Sequence, residues 1–215
     1  FRSEKFAAYN IEGLSVHISS LKLAKPIDIS MGFTSKSQDT PVDEYTKFRI
    51  GSITKSFTAM AILKLHEDGM VNIENKISEY VNIENEYINN LTVKEIMNMN
   101  TGLKCYINSI EDEENSLIVD FLYNNPQNYL TPISLIEEAV NMGYLDSNDF
   151  FYSNTNYILL GLVIEEVTGK TYKEYIEEII IEPLEMSNTY IPIGDEVPDS
   201  TALGYQDMDD DEQTE

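Results

Sequence analysis

The sequence predicts an α+β chain. Extended runs gather before Gly51, helical patterns fill most of the chain beyond it, and hydroxyl caps and glycines bound those helices. Leu14-Ser15-Val16-His17-Ile18 alternates weakly in polarity, and Pro26 to Phe33 offers a second extended run ending in a turn that contains Gly32. Thr46 to Ile50 is a short extended lead-in to Gly51. The pattern then changes period. Ser52 to Asp68 carries apolar residues at Phe57, Met60, Ala61, Leu63 and Leu65, with Gly69 as its stop. Thr92-x-x-Glu95 is a capping box ahead of Ile96 and Met97. Thr131 followed by Pro132 opens a helix that Gly143 closes. Thr155 to Val167 is a further helix, with Gly169 just beyond it. Thr171-x-x-Glu174 is a second capping box, whose helix ends before Pro183. Asp207 to Glu215 is nearly all acidic or polar and is expected to be a solvated tail or loop.

Composition narrows the function classes. The 215 residues suffice for one large domain or two small ones, and 42% are hydrophobic, enough for a packed core. The formal net charge is −24 and the sequence pI about 4.2. Such a surface repels phosphate, which argues against nucleic acid as a partner, and no basic patch offers docking on anionic lipid. The single cysteine, Cys105, excludes an intrachain disulfide and says nothing about compartment. No apolar run is long enough to span a bilayer. Phe1-Arg2-Ser3-Glu4-Lys5 is not a signal peptide and lacks an initiator methionine, so processing or trimming is expected. His17 and His66 lack paired ligand spacing, so neither a metal nor a cofactor is expected.

Two short patterns carry chemistry. In Ser-x-x-Lys on a helix, residues three apart share a face, so the ammonium reaches the hydroxyl, helps deprotonate it and keeps the site positive. A helix N-terminus favours the negative charge that develops there. Ser52-x-x-Lys55 fits, and so does Ser19-x-x-Lys22, although that pair falls at a strand end and turn. Tyr-x-Asn is less specific: it starts at Tyr80, Tyr87, Tyr106, Tyr123 and Tyr152.

The flanking residues separate these matches. Phe48-Arg49-Ile50-Gly51-Ser52-Ile53-Thr54-Lys55-Ser56-Phe57-Thr58-Ala59 resembles the start of the active-site helix of serine D-alanyl-D-alanine carboxypeptidases and class C β-lactamases. Phe151-Tyr152-Ser153-Asn154-Thr155-Asn156-Tyr157, followed by Leu160-Gly161 and Val167-Thr168-Gly169, resembles that family's second motif and the helix after it. His66 to Gly69, Thr92 to Leu103, and Pro183-Leu184 with Met186 and Thr189 fall in the family's order. The resemblance runs from about residue 10 to about residue 206.

It implies a β-lactamase/transpeptidase-like fold: an antiparallel sheet flanked by helices, with an inserted all-helical domain and the site between them. The chain then divides into strands and active-site helix (1–69), a mainly helical domain (70–170), a returning helix (171–206) and the acidic tail (207–215). It implies Ser52 as the acylated nucleophile and Lys55 as the lysine that tunes it. Tyr152 becomes the general base toward the serine and general acid toward the leaving group. Asn154 becomes the amide that holds the substrate's acyl-side amide group. Peptidoglycan-type peptides or β-lactams are the implied ligands, with no cofactor, and the implied compartment lies outside the cytoplasm.

Three departures qualify this resemblance. The family's late Lys/His-Thr-Gly strand has no counterpart, since Thr101-Gly102 follows Asn100 and Thr168-Gly169 follows Val167, both in the helical half. Asp146-Ser147 replaces a Pro-Gly turn, and Met99-Asn100-Thr101-Gly102-Leu103 replaces His-Thr-Ser-Gly-Leu. A chain ending at Glu215 would lack C-terminal strands and one oxyanion donor. It is expected to be poorly active, and prone to self-association through an uncovered sheet edge. Three alternatives stay open at this level: a catalytically impaired relative that binds a peptide or partner, a small-ester hydrolase on the same fold, and an unrelated helical domain.

Overall fold

A computed structural model of the chain describes residues 11–37, 40–107, 130–146, 149–194 and 198–203. The acidic tail, Tyr123 and Ser147 lie outside the described residues. The chain divides into two units, one formed by Phe1–Gly51 with Asn188–Glu215 and the other by Ser52–Ser187. The sequence-level boundaries at residues 69, 170 and 206 partition the chain differently, because the helix after Gly51 belongs with the second unit.

The first unit is organised on an antiparallel hairpin of β1 (Gly13–Ile18) and β2 (Ile27–Gly32), in register from Gly13 opposite Gly32 to Ile18 opposite Ile27. Gly32 is not in a turn, as its sequence context suggests, but closes the hairpin's open end. Its φ is +76°, and a Cβ there would sit 2.0 Å from the Glu12 carbonyl oxygen, so only glycine fits. The turn instead occupies the stretch between the strands, where Ser19 and Lys22 are exposed. That removes the second Ser-x-x-Lys pair from any helix face. Beyond β2 the Val42 N–H donates to the Gly32 carbonyl, and Lys47 pairs with Thr201 in a parallel bridge. Thr46 to Ile50 forms no longer strand than this.

The second unit is helical. Among the described residues its α-helices are α1 (Thr54–Glu67), α2 (Glu86–Asn89), α3 (Val93–Met97), α4 (Pro132–Asn141), α5 (Asn154–Thr168) and α6 (Tyr172–Ile176). The last runs directly into a π-helical turn, Glu177–Ile181. Both capping boxes form. The Thr92 hydroxyl accepts from the Glu95 N–H while the Glu95 carboxylate accepts from the Thr92 N–H, and Thr171 and Glu174 do the same. A hydroxyl cap of this kind contributes about 1 kcal/mol to its helix at a site such as Thr92. Thr131 caps α4 through the Ser134 N–H, with Pro132 in the first turn.

The core of this unit surrounds α5, which packs against α1, α3, α4 and α6. Leu159, Leu160, Val163 and Ile164 of α5 are fully buried, as are Ala61, Ile62 and Leu65 of α1. The α1 residues, with buried Thr58, follow the i, i+3, i+4, i+7 spacing of a single helix face. Met60 and Leu63 lie on the opposite side and are exposed, so the apolar pattern of the sequence is wider than the buried stripe. The Thr58 and Tyr172 hydroxyls, 2.8 Å apart, tie α1 to α6.

Candidate active site

The site begins where Gly51 turns the chain into α1. Gly51 has φ +51°, a left-handed conformation that glycine reaches without strain. A 3₁₀ turn, Gly51–Ile53, comes next, and the α-helix proper starts at Thr54. Ser52 therefore sits in the turn ahead of the helix rather than inside it. Its hydroxyl does not cap α1: the residue at that helix's cap is Ile53, with no side-chain cap bond. Ser52 Oγ instead accepts a hydrogen bond from Lys55 Nζ at 3.1 Å, the one-turn contact that the spacing requires.

Tyr152 and Asn154 arrive from a segment roughly a hundred residues on, at the start of α5. The hydroxyls of Ser52 and Tyr152 share a hydrogen bond of 2.6 Å. Lys55 Nζ donates to Asn154 Oδ1 at 2.5 Å and lies 4.9 Å from the centroid of the Tyr152 ring. An ammonium has only donors, so the side-chain oxygen of Asn154 must face it, with the Nδ2 donors directed elsewhere. Ser52 and Tyr152 are exposed, while Lys55 and Asn154 are half-buried. The structure thus brings all four residues singled out in the sequence into one hydrogen-bonded group, all within the second unit.

The electrostatics derive from that geometry. Interaction with the Lys55 ammonium, then the hydrogen bond with Ser52, holds the Tyr152 phenol below its usual range, against a smaller opposing effect of burial. Tyr87, Tyr106, Tyr157, Tyr172 and Tyr175 are all pushed the other way, each chiefly by burial. A phenol held below its usual range that already shares a hydrogen bond with a serine hydroxyl is suited to take that hydroxyl's proton.

Support for the Tyr152 segment comes from residues whose part was not legible in the sequence. The Ser153 and Thr155 hydroxyls both donate to the Lys104 carbonyl, at 3.1 and 2.9 Å. The Tyr106 N–H donates to Thr155 Oγ1, and the Asn154 N–H donates to the thiol sulfur of buried Cys105 at 3.4 Å. The Phe151 N–H donates to the carbonyl of Met99, and buried Thr101 donates to Asn156 Oδ1 at 2.8 Å. The Met99 to Leu103 departure is thus part of the frame beneath the motif. Nothing in the local pattern of Lys104-Cys105-Tyr106 signals this use.

Two of the competing Tyr-x-Asn matches, at Tyr80 and Tyr87, are spent on structure. The Tyr80 hydroxyl accepts from the Asn72 N–H at 2.7 Å, and the Tyr87 hydroxyl donates to the Thr101 carbonyl at 2.8 Å. The Tyr106 N–H is the one braced on Thr155, while Asn108 lies outside the described residues. His17 pairs with Asp28 on the surface, and His66 Nδ1 sits 3.0 Å from the Val71 carbonyl oxygen.

Comparison with known proteins shows the family. The family model for beta-lactamase matches residues 5–215. The chain belongs to the beta-lactamase family. Among curated relatives of this beta-lactamase-family chain, Protein flp of Staphylococcus aureus (strain MRSA252) is 31% identical over 182 residues. That match takes in 81% of this chain and 34% of flp. The chain therefore spans about a third of the length of that relative. Among solved structures, the penicillin binding protein from Bacillus halodurans is 26% identical with a TM-score of 0.77, across 95% of this chain and 60% of that one. The D-amino acid amidase from Ochrobactrum anthropi SV3 shares the fold, with a TM-score of 0.77 at 24% identity, across 94% of this chain and 54% of that one. The β-lactamase/transpeptidase-like fold expected from the motifs is the fold found, with an antiparallel two-stranded sheet and helices among the described residues. No helix among the described residues is long and apolar enough to cross a membrane.

Proposed function

We propose that this chain carries the acyl-transfer site of a serine hydrolase, with Ser52 as the residue that becomes acylated. The observation that carries the reading is the hydrogen-bonded group of Ser52, Lys55, Tyr152 and Asn154. In the proposed sequence, the Tyr152 phenolate takes the Ser52 hydroxyl proton as Oγ attacks a carbonyl carbon. The tetrahedral oxyanion collapses, the C–N bond breaks, and Tyr152 returns the proton to the leaving amine. That leaves an ester on Ser52, which water hydrolyses. Lys55 favours the ionised form of the phenol before the attack and keeps the serine oriented. The Ser52 N–H is one oxyanion donor, and the Asn154 side-chain amide holds the acyl-side amide group of the substrate.

D-alanyl-D-alanine peptides and β-lactams are the substrates proposed. Similarity to a penicillin binding protein supports this class, and cell-wall peptide as substrate places the work outside the cytoplasm. Both substrates present a carbonyl carbon bonded to an amide nitrogen, which suits proton return by Tyr152. A panel tests the choice: a D-alanyl-D-alanine peptide, a chromogenic cephalosporin, a D-amino acid amide and a small ester. The proposal expects turnover or acylation with one of the first two, lost in Ser52→Ala. Turnover of the ester or the amide alone would move the protein to another substrate class. Folded protein inert toward all four would leave a non-catalytic relative as the better reading.

A further inference from the structure

Asn154 and Tyr157 stand one helical turn apart on α5, as Ser52 and Lys55 do at the start of α1. Both α5 residues approach the Lys55 ammonium, Asn154 through Oδ1 and Tyr157 through its ring. Lys55 Nζ lies 4.9 Å from the Tyr152 ring centroid and 5.8 Å from that of Tyr157, within the range at which a ring face attracts a cation. The half-buried Tyr157 ring is pinned at its far end, where its hydroxyl donates to the Met97 carbonyl at 3.2 Å. Met97 is the last residue of α3, so the ring is fixed from two helices.

We propose that Tyr157 is a positioning residue whose ring forms the second wall of an aromatic cage holding Lys55 between Ser52 and Asn154. A lysine stem is long and has many rotamers. Two acceptors alone would leave the ammonium free to swing toward Asn154 and away from the Ser52 and Tyr152 hydroxyls. A second ring near the ammonium restricts that freedom without supplying another acceptor to compete for its protons. Burial holds the Tyr157 phenol above its usual range, so it stays neutral where Tyr152 ionises. Tyr157 thus acts through Lys55, and this role rests on the proposed function.

The test separates the ring from its hydroxyl. Tyr157→Phe keeps the ring and loses the bond to Met97, whereas Tyr157→Leu and Tyr157→Met lose both. Two readouts are taken on the full chain. One is the pH dependence of acylation by a labelled penicillin. The other is the ionisation of Tyr152 in free protein, followed by phenolate absorbance with Tyr152→Phe as the subtraction. The ionisable groups acting on Tyr152 are Lys55 from α1 and, in the opposite direction, Cys105 from the loop before α4. Every variant also removes the Tyr157 phenol, so Tyr157→Phe, which lacks that phenol and keeps the ring, isolates the effect of the ring on Lys55.

In the Leu and Met variants acylation near neutral pH should fall about three- to thirtyfold, the span of cation–π contacts from exposed to desolvated. The acid limb and the Tyr152 titration should both move to higher pH. Tyr157→Phe should keep both near the wild-type position. A ring that merely fills space would lower the rate at every pH and leave the limb in place, which overturns the proposal. So does a Phe variant that shifts as far as the Leu variant; if neither ring-less variant folds, a Tyr157→Phe limb and Tyr152 titration displaced from the wild-type position overturn the proposal, and both unmoved support it. Should folded wild type not be acylated, the proposed function fails, while the Tyr152 titration still decides the cage.

Discussion

Tyr152→Phe is expected to lower the rate of Ser52 acylation by about two to four orders of magnitude, the usual contribution of a positioned proton-transfer group. The substitution removes one oxygen and keeps the ring near Lys55. Tyr152 is exposed and its hydroxyl is paired with Ser52, so the loss leaves no buried group without a partner. Stability should hardly change, and thermal melts should overlay while the rates separate. The direction of the pH effect is fixed by which form of Tyr152 reacts. The base is the phenolate, which exists above the Tyr152 pKa. Because Lys55 holds that pKa below the ordinary tyrosine value of about 10, the acid limb of acylation should lie below that value in the wild type. In Tyr152→Phe the limb should vanish together with most of the rate.

Lys55→Met has an expected effect of the same order, about 10³-fold, from the loss of a preorganised positive charge beside the reacting hydroxyl. Methionine roughly fills the stem's volume without the ammonium. Four contacts go at once: the bonds to Ser52 Oγ and Asn154 Oδ1, and the cation against the Tyr152 and Tyr157 rings. The Tyr152 pKa should then rise, so the residual acylation should have its acid limb displaced to higher pH. Lys55→Arg should not restore the rate, because a planar fork cannot place one nitrogen between two acceptors as a single ammonium does. Stopped-flow acylation across a pH series, compared among these variants, checks both expectations.

What the sequence disclosed of this site was decided by distance along the chain. Ser52 and Lys55 are one turn apart, so their contact is dictated by helix geometry once the helix is placed. Ser19 and Lys22 carry the same spacing, but the hairpin turn removes the helix and with it the shared face. The Tyr-x-Asn motif alone could not single out Tyr152 among five matches; the flanking residues did, and the structure puts its hydroxyl on Ser52, with those of Tyr80 and Tyr87 bound to backbone. The capping boxes at Thr92 and Thr171 were legible because a cap is a four-residue interaction.

Other features were beyond local reading for definite reasons. Hydrophobicity marks Met60 and Leu63 as readily as Leu65, and only packing decides which face of α1 is buried. The π-helical turn at Glu177–Ile181 changes the helical period without changing residue types. Gly32 looks like a turn glycine, yet it is required by the close approach of the Glu12 carbonyl across the hairpin. The brace formed by Lys104 and Tyr106 works largely through backbone groups, which every residue type carries.

Acylation of Ser52 is the central claim, and mass spectrometry after incubation with a labelled penicillin tests it most directly. The expected result is a single adduct of intact penicillin mass, mapped to the peptide that contains Ser52 and absent from Ser52→Ala. Folded protein without an adduct, an adduct that survives in Ser52→Ala, or one mapped to Ser19 would contradict it.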